Sequence, residues 1–280
     1  MSVQNFIPQL WSAQLLLANR KNQTALKVVN RNYEGLISQE GDRVKINSIA
    51  AMTVSDYTKN STSITYSALN ADAQWLVLEK AKFWSCSVDD IDASQSNVDI
   101  MQAAMSEASY RLSDAADSYI YGLYGSAGVT TGLGTTTSPT SVTSSTLVTY
   151  MAEIARRLSD AHCPEAGRWI VVPPWFHLKI RLAKITNEMT TDKALDEGFA
   201  DKIMGFNVLV SSNIQTSGSA TKVLAGTNEA ITYADGLVKT EALRLSTAFA
   251  DGLRGLHVYG AKVVKPDCLA CFSCSEGSET

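Results

Sequence analysis

A signal-peptide pattern is missing from the first residues. Met1-Ser-Val-Gln-Asn-Phe-Ile-Pro carries neither a charged start nor an apolar core. No run of about twenty apolar residues follows, so no membrane-spanning helix is expected. A cytoplasm is the expected place of synthesis. Histidine is scarce, and His162, His177 and His257 show no ligand spacing with one another or with the cysteines. Acid–base catalysis usually recruits a histidine or paired carboxylates. The chain has no Gly-x-Ser-x-Gly, His-Glu-x-x-His or Gly-x-Gly-x-x-Gly element. His162 and Cys163 could be read as a base beside its thiol, but such partners meet in space rather than in sequence. A histidine at a helix end near free carbonyls is the ordinary case. The expectation is a protein that is not an enzyme and uses no cofactor. A net charge of −4 argues against wrapping nucleic acid mainly through phosphate contacts.

Cysteine is also sparse: five in all, an odd number that forms no disulfide framework. Cys268, Cys271 and Cys274 recur at every third position and invite a metal reading. Zinc sites of this kind need four ligands, usually from two separated pairs. The expected reading is three free thiols in a C-terminal tail, with no metal site.

What is present points to a folded scaffold. Apolar residues make up 45% and charged residues 19%, the profile of a soluble folded protein. At 280 residues the chain is one large domain or two ordinary ones. From Ser94 to Tyr124, apolar or small residues recur three and four apart, including Val98, Met101, Met105, Ala108, Leu112, Ala116, Tyr119 and Leu123. That spacing lays one stripe along a helix. Ser94 stands at the N-cap position, and no Pro or Gly interrupts the run before Tyr121. Gly122 and Gly125 are expected to end the helix through left-handed geometry. About thirty residues would span roughly 45 Å. Asp89, Asp90 and Asp92 suit the positive end of that helix and lack the calcium-loop pattern.

Before this spine, residues 1–35 read as an arm. Phe6 to Leu17 suits a short amphipathic helix, after which Arg20, Lys21, Lys27 and Arg31 stand against Glu34 alone. Arg43-Val-Lys-Ile-Asn and Ser63-Ile-Thr-Tyr-Ser alternate as strands, with a polar tip at 55–61. Gln74 to Val88 is expected to run as one further strand, completing a long hairpin that needs other support. From Cys86 to Ser126 the acids are Asp89, Asp90, Asp92, Asp99, Glu107, Asp114 and Asp117, against Arg111 alone. One subunit's basic arm is therefore expected to lie along another's acidic spine.

After the spine, residues 126–146 are rich in Ser, Thr and Gly. The glycines resemble a phosphate loop only superficially, because a helix precedes the loop and the loop contains no lysine. Leu147, Met151, Ile154, Ala155 and Leu158 predict an amphipathic helix, and Arg168-Trp-Ile-Val-Val a buried strand. Residues 175–185 can form a helix with Pro174 near its first turn and Trp175, Leu178 and Leu182 on one side. A turn and strand are expected over Ile203–Val210, and strands around Val223–Gly226, Asn228–Ala234 and Ala242–Ser246, with a last one stopping at Pro266. The βαβ rhythm is irregular, so the class is α+β.

Four stretches carry a family likeness: Phe83-Trp-Ser-Cys-Ser-Val-Asp-Asp-Ile-Asp, Trp169-Ile-Val-Val-Pro-Pro, Gly205-Phe-Asn-Val-Leu-Val-Ser-Ser-Asn and Tyr259-Gly-Ala-Lys-Val-Val-Lys-Pro. With the order of arm, hairpin, spine and α+β domain, the chain resembles the major capsid proteins of tailed bacteriophages, the Hong Kong 97-type fold. The resemblance implies an N-terminal arm at 1–35, an extended loop at 36–85 and a peripheral domain with the spine at 86–139. An axial domain at 140–245 and a closing peripheral segment with a tail at 246–280 complete it. It implies hexamers and pentamers closing into an icosahedral shell around double-stranded DNA, which is contacted weakly and non-specifically. The place of action is the virion, after assembly in the host bacterial cytoplasm, with no membrane partner. Because the spine starts near residue 94, a separate scaffolding protein, or none, is expected; portal and decoration proteins are further partners of such shells. Arg20, Lys21 and Arg31 against Asp114 and Asp117 are the candidate subunit contacts. Lys59, near the hairpin tip, invites the lysine–asparagine cross-link of some members, but no partner asparagine or activating acid is identifiable; a solubilising role is the reading kept. Other readings are an encapsulin-type nanocompartment, a tail or head-completion protein, and an enzyme using Cys163 with His162.

Overall fold

The computed structural model describes residues 21, 23–33, 43–49, 54, 56, 58–59, 71–89, 100–183, 202–245 and 249–278. The Phe6–Leu17 helix, Arg20, the Ser63–Ser67 strand and the Ser94 cap fall outside them. Among the described residues, the strands form sheets of two, three and seven strands.

The hairpin is β1 (Arg43–Ile49) against β2 (Ala71–Val77), antiparallel, with Arg43 opposite Val77 and Ile49 opposite Ala71. The single strand expected from Gln74 to Val88 is instead two strands. β2 ends at Val77, and β3 (Lys80–Asp89) pairs in a different sheet. Leu78 makes the break. With Leu76, Ile46, Ala234 and Val258 it fills a small second core beneath the hairpin. Gly260 lets the chain cross there, since a Cβ at that position would overlap the Val77 carbonyl oxygen.

The long helix α1 (Ile100–Tyr121) has 22 described residues, about 33 Å at the helical rise. It buries Ala108, Ala116, Asp117, Ile120 and Tyr121. It does not end on a left-handed glycine. It tightens into a 3-10 turn, Gly122–Ser126, and neither Gly122 nor Gly125 has positive φ.

Next come β4 (Thr140–Val142), α2 (Leu147–Asp160) and β5 (Arg168–Val172). Helix α2 buries Leu147, Met151, Ile154 and Leu158, as its spacing predicts, and every residue of β5 is buried. Helix α3 (Pro174–Leu182) starts with proline in its first turn and buries Phe176, Lys179 and Ile180. On the side carrying Trp175, Leu178 and Leu182, Trp175 packs partly buried against the core while Leu178 and Leu182 are 55% and 53% exposed. Apolar residues occur on both sides of this short helix, so periodicity alone did not choose between them.

β6 (Lys202–Ile203) and β7 (Phe206–Val210) form a tight hairpin through Met204 and Gly205, both at positive φ as a type I′ turn requires. β8 (Thr216–Ser217), β9 (Ala220–Thr227), β10 (Ile231–Arg244), β11 (Ala250–Val263) and β12 (Leu269–Glu276) complete the chain. The large sheet runs β4-β12-β9-β5-β7-β6, with β8 beside β9. Its β4–β12 and β5–β7 pairs are parallel and the rest antiparallel, in keeping with an α+β class. The small sheet runs β10-β11-β3.

β10 and β11 form one ladder from Ile231↔Val263 to Arg244↔Asp251. One expectation is corrected by this topology. The supposed tail is an inner strand: β12 lies between β4 and β9, and Cys268, Cys271 and Cys274 are buried. Read as small apolar residues, these cysteines continue a strand pattern through Leu-Ala-Cys-Phe-Ser-Cys. Burial pushes the Cys274 thiol up to about 12.

Candidate functional site: the arm clasp and the uncovered apolar faces

The arm is held along α1 by hydrogen bonds that begin with its own backbone. Thr24 and Ala25 donate their backbone N–H groups to Asp117 Oδ1 at 3.0 and 2.7 Å. Thr24 Oγ1 and the Tyr121 hydroxyl are 2.6 Å apart, and the Lys21 backbone N–H donates to the Tyr110 hydroxyl at 2.6 Å. From the large sheet's side, Asn213 Nδ2 donates to Asp114 Oδ1 at 2.5 Å and Asp117 Oδ2 at 3.0 Å. Burial raises the Asp117 carboxyl above its ordinary value, and the hydrogen bonds from Ala25, Asn213 and Thr24 offset this only in part.

The basic arm does meet the acidic helix, but inside one chain. Lys21 Nζ lies 3.7 Å from Asp114 Oδ2 and donates to Asn213 Oδ1 at 2.9 Å. Asp117 is 1% exposed and occupied by its own arm, so in this arrangement it offers no free carboxylate to a neighbour. Arg31 reaches neither helix acid. It pairs with Asp235 on β10 at 3.4 Å, where Tyr233 and His257 also bond the carboxylate, His257 Nε2 at 3.0 Å. Asn30 exchanges backbone hydrogen bonds with β10, tying the arm to the small sheet as well. Lys59 is exposed in a turn.

His162 and Cys163 sit together at the end of α2. His162 takes a left-handed backbone at the end of α2, with its N–H donating to Ser159 O at 2.9 Å. Cys163 is buried, and its thiol neighbour is Cys268, which burial and the hydrogen bond with Cys163 push up to about 11. Among the described residues, no three His, Cys, Asp or Glu side chains are placed to hold a metal ion.

Sequence reading overlooked two features. Arg168 is 4% exposed and donates to the Pro164, Ala155 and Cys163 carbonyls and to Ser159 Oγ, clamping the end of α2. An arginine opening the otherwise apolar strand Arg168-Trp-Ile-Val-Val is a signal that could have found it. The second is the set of uncovered apolar side chains: Phe83 on β3 is 79% exposed, Phe249 before β11 is 83%, and Leu178 and Leu182 on α3 exceed one half. Phe83 borders a groove of about 350 Å³ with Glu241, Arg254 and Leu256. Large side chains left in water on several elements suit a chain that docks against others.

Comparison with known proteins gives the same direction. Residues 51–271 match the model of a family described as phage capsid protein. The fold superimposes at TM-score 0.82 on a chain from Mycobacterium phage Che8, 28% identical, covering 97% of this chain and 98% of that one. The capsid structure of the cyanophage P-SCSP1u superimposes at 0.78 with 15% identity, covering 99% and 95%. The capsid of the Myoviridae phage XM1 superimposes at 0.68 with 14% identity, covering 98% of each. No curated protein sequence matches. The fold is therefore of the Hong Kong 97 type, and the matches favour a phage shell over an encapsulin. With the family model spanning most of its length, this chain belongs to the phage capsid protein family, as a major capsid protein of a tailed phage.

Proposed function

We propose that copies of this chain form hexamers and pentamers that close into an icosahedral shell around double-stranded DNA. The observation that carries this reading is the apolar surface a single chain leaves open, above all Phe83 and Phe249 at 79% and 83% exposure. Burying such side chains contributes roughly 1.5–3 kcal/mol each, so repeated contacts of this kind sum over a shell without any one strong site. The small net charge of −4 suits a lining that holds packaged DNA weakly.

In this reading, residues 1–35 are the arm and 36–85 the extended loop, whose base is the β1–β2 hairpin. The peripheral domain combines α1 with the β10-β11-β3 sheet, into which the last residues of the loop lead as the start of β3. The axial domain is the large sheet with α2 and α3, and β12 belongs to it. Assembly takes place in the host bacterial cytoplasm, with scaffolding, portal and decoration proteins as further partners.

Negative-stain electron microscopy of the purified protein, alone and co-expressed with its genomic neighbours, tests this. Closed shells, or hexamers and pentamers, are the expected particles. A monodisperse monomer or dimer under every condition would overturn the proposal.

A further inference from the structure

The glycine- and threonine-rich loop after α1 contains no lysine of its own, but the fold brings one to it. Lys222 on β9 stands opposite Ser273 on β12 and reaches under the loop. Its Nζ donates to Thr136 Oγ1 at 2.7 Å and Ser273 Oγ at 2.8 Å, and lies 5.6 Å from the Tyr124 ring centre. Lys222 is 4% exposed. These side chains border a cavity of about 710 Å³ whose remaining walls are mostly threonine, serine and glycine of the loop. No acidic side chain is among the described residues that line it.

A buried ammonium is costly unless a counter-charge or a full set of acceptors compensates it. Here two hydroxyl oxygens take two of its three N–H groups, and among the described residues no carboxylate ion-pairs with it. Each oxygen that accepts from Lys222 keeps its own O–H to donate, and Thr131 adds another hydroxyl to the lining. Donor-rich walls around an unneutralised cation suit a charged oxygen acceptor rather than a cation or an apolar molecule.

We propose that the Lys222 cavity binds a phosphate-class oxyanion, with the ammonium as its charge partner and the Thr136 and Ser273 hydroxyls as donors. The arrangement differs from a phosphate loop because the preceding helix presents no N-terminus to it; the positive charge comes from a strand 86 residues away from Thr136. The same chemistry is offered by free phosphate and by the phosphodiester of a nucleic acid strand.

Equilibrium dialysis of labelled inorganic phosphate tests this on the purified full chain, in the assembly state in which it is isolated and at fixed ionic strength. The expected result is saturable binding of one phosphate per chain, displaced by sulfate but not by chloride. Lys222→Met should weaken it at least about tenfold, and Lys222→Arg should retain it. Should Lys222→Met not fold, Thr136→Val keeps the charge, removes one donor and should still weaken binding several-fold. No saturable binding to the unaltered chain, equal displacement by chloride, or indifference to the variants that fold would each overturn the proposal. With saturable binding in hand, displacement by an oligothymidylate supports it with a phosphodiester as the ligand, and resistance supports it with the free anion.

Discussion

The Asp117 carboxylate on α1 accepts the backbone N–H of Ala25 at 2.7 Å, joining the arm to the long helix where both are buried. The same oxygen also accepts Thr24 N–H. Asp117→Ala leaves two buried backbone donors without an acceptor, at about 1–3 kcal/mol each. A loss of roughly 3 kcal/mol is expected in denaturant unfolding, with early proteolysis of the arm. Asp117→Asn keeps an acceptor for the arm and should lose less. Equal stability of Asp117→Ala and the unaltered chain would remove this contact from the account.

Asp235 and Asp117 predict opposite responses to acid. Burial acts to raise the Asp235 carboxyl, but hydrogen bonds from His257 and Tyr233 and the charges of His257 and Arg31 outweigh it, leaving it below 3.8. Its contribution is therefore present above 3.8 and lost as pH falls through the lower folded value. Asp117 is raised above 3.8, so its contribution is fullest below that value and declines as pH rises through the higher folded one. In urea titrations, the deficit of Asp235→Asn should shrink as pH falls below 3.8. A deficit that grows on acidification would contradict the sign.

Phe83 separates docking from folding. At 79% exposure it contributes little to the stability of one chain, so Phe83→Ser should change unfolding by no more than about 0.5 kcal/mol. Assembly should suffer far more, seen as free subunits in sedimentation where the unaltered chain gives shells. Normal shell yield would show that this side chain stays uncovered in the particle.

The basic end of the arm gives a further test. Lys21 already faces Asp114 at 3.7 Å within its own chain, where 48% of its side chain is exposed. Reversing charge with Arg20→Glu and Lys21→Glu should impair assembly more than folding, most visibly at low salt. Normal shells at moderate salt would exclude a contact between subunits there.

Much of the architecture was legible because it rests on local periodicity. The α1 and α2 stripes, the β1 strand and the Met204-Gly205 turn each follow from spacing within a few residues. Local spacing does not decide where two answers are equally good. Trp175, Leu178 and Leu182 against Phe176 and Ile180 is one such tie on α3. The run through Leu78 is another, because an unbroken apolar series does not say that its halves join different sheets. In β12, cysteines read as free thiols of a tail concealed an inner strand.

The sequence by itself determined the α1 and α2 helices, the β1 and β5 strands, the α+β class and the likeness to phage capsids. Those properties are carried by short-range spacing and by order along the chain. Only the tertiary structure decided that Lys21 meets Asp114 within one chain, that Arg31 turns to Asp235, and that Lys222 arrives beneath the threonine-rich loop. These contacts join residues far apart in sequence, and their geometry is set by how sheets and helices pack, which no local pattern encodes.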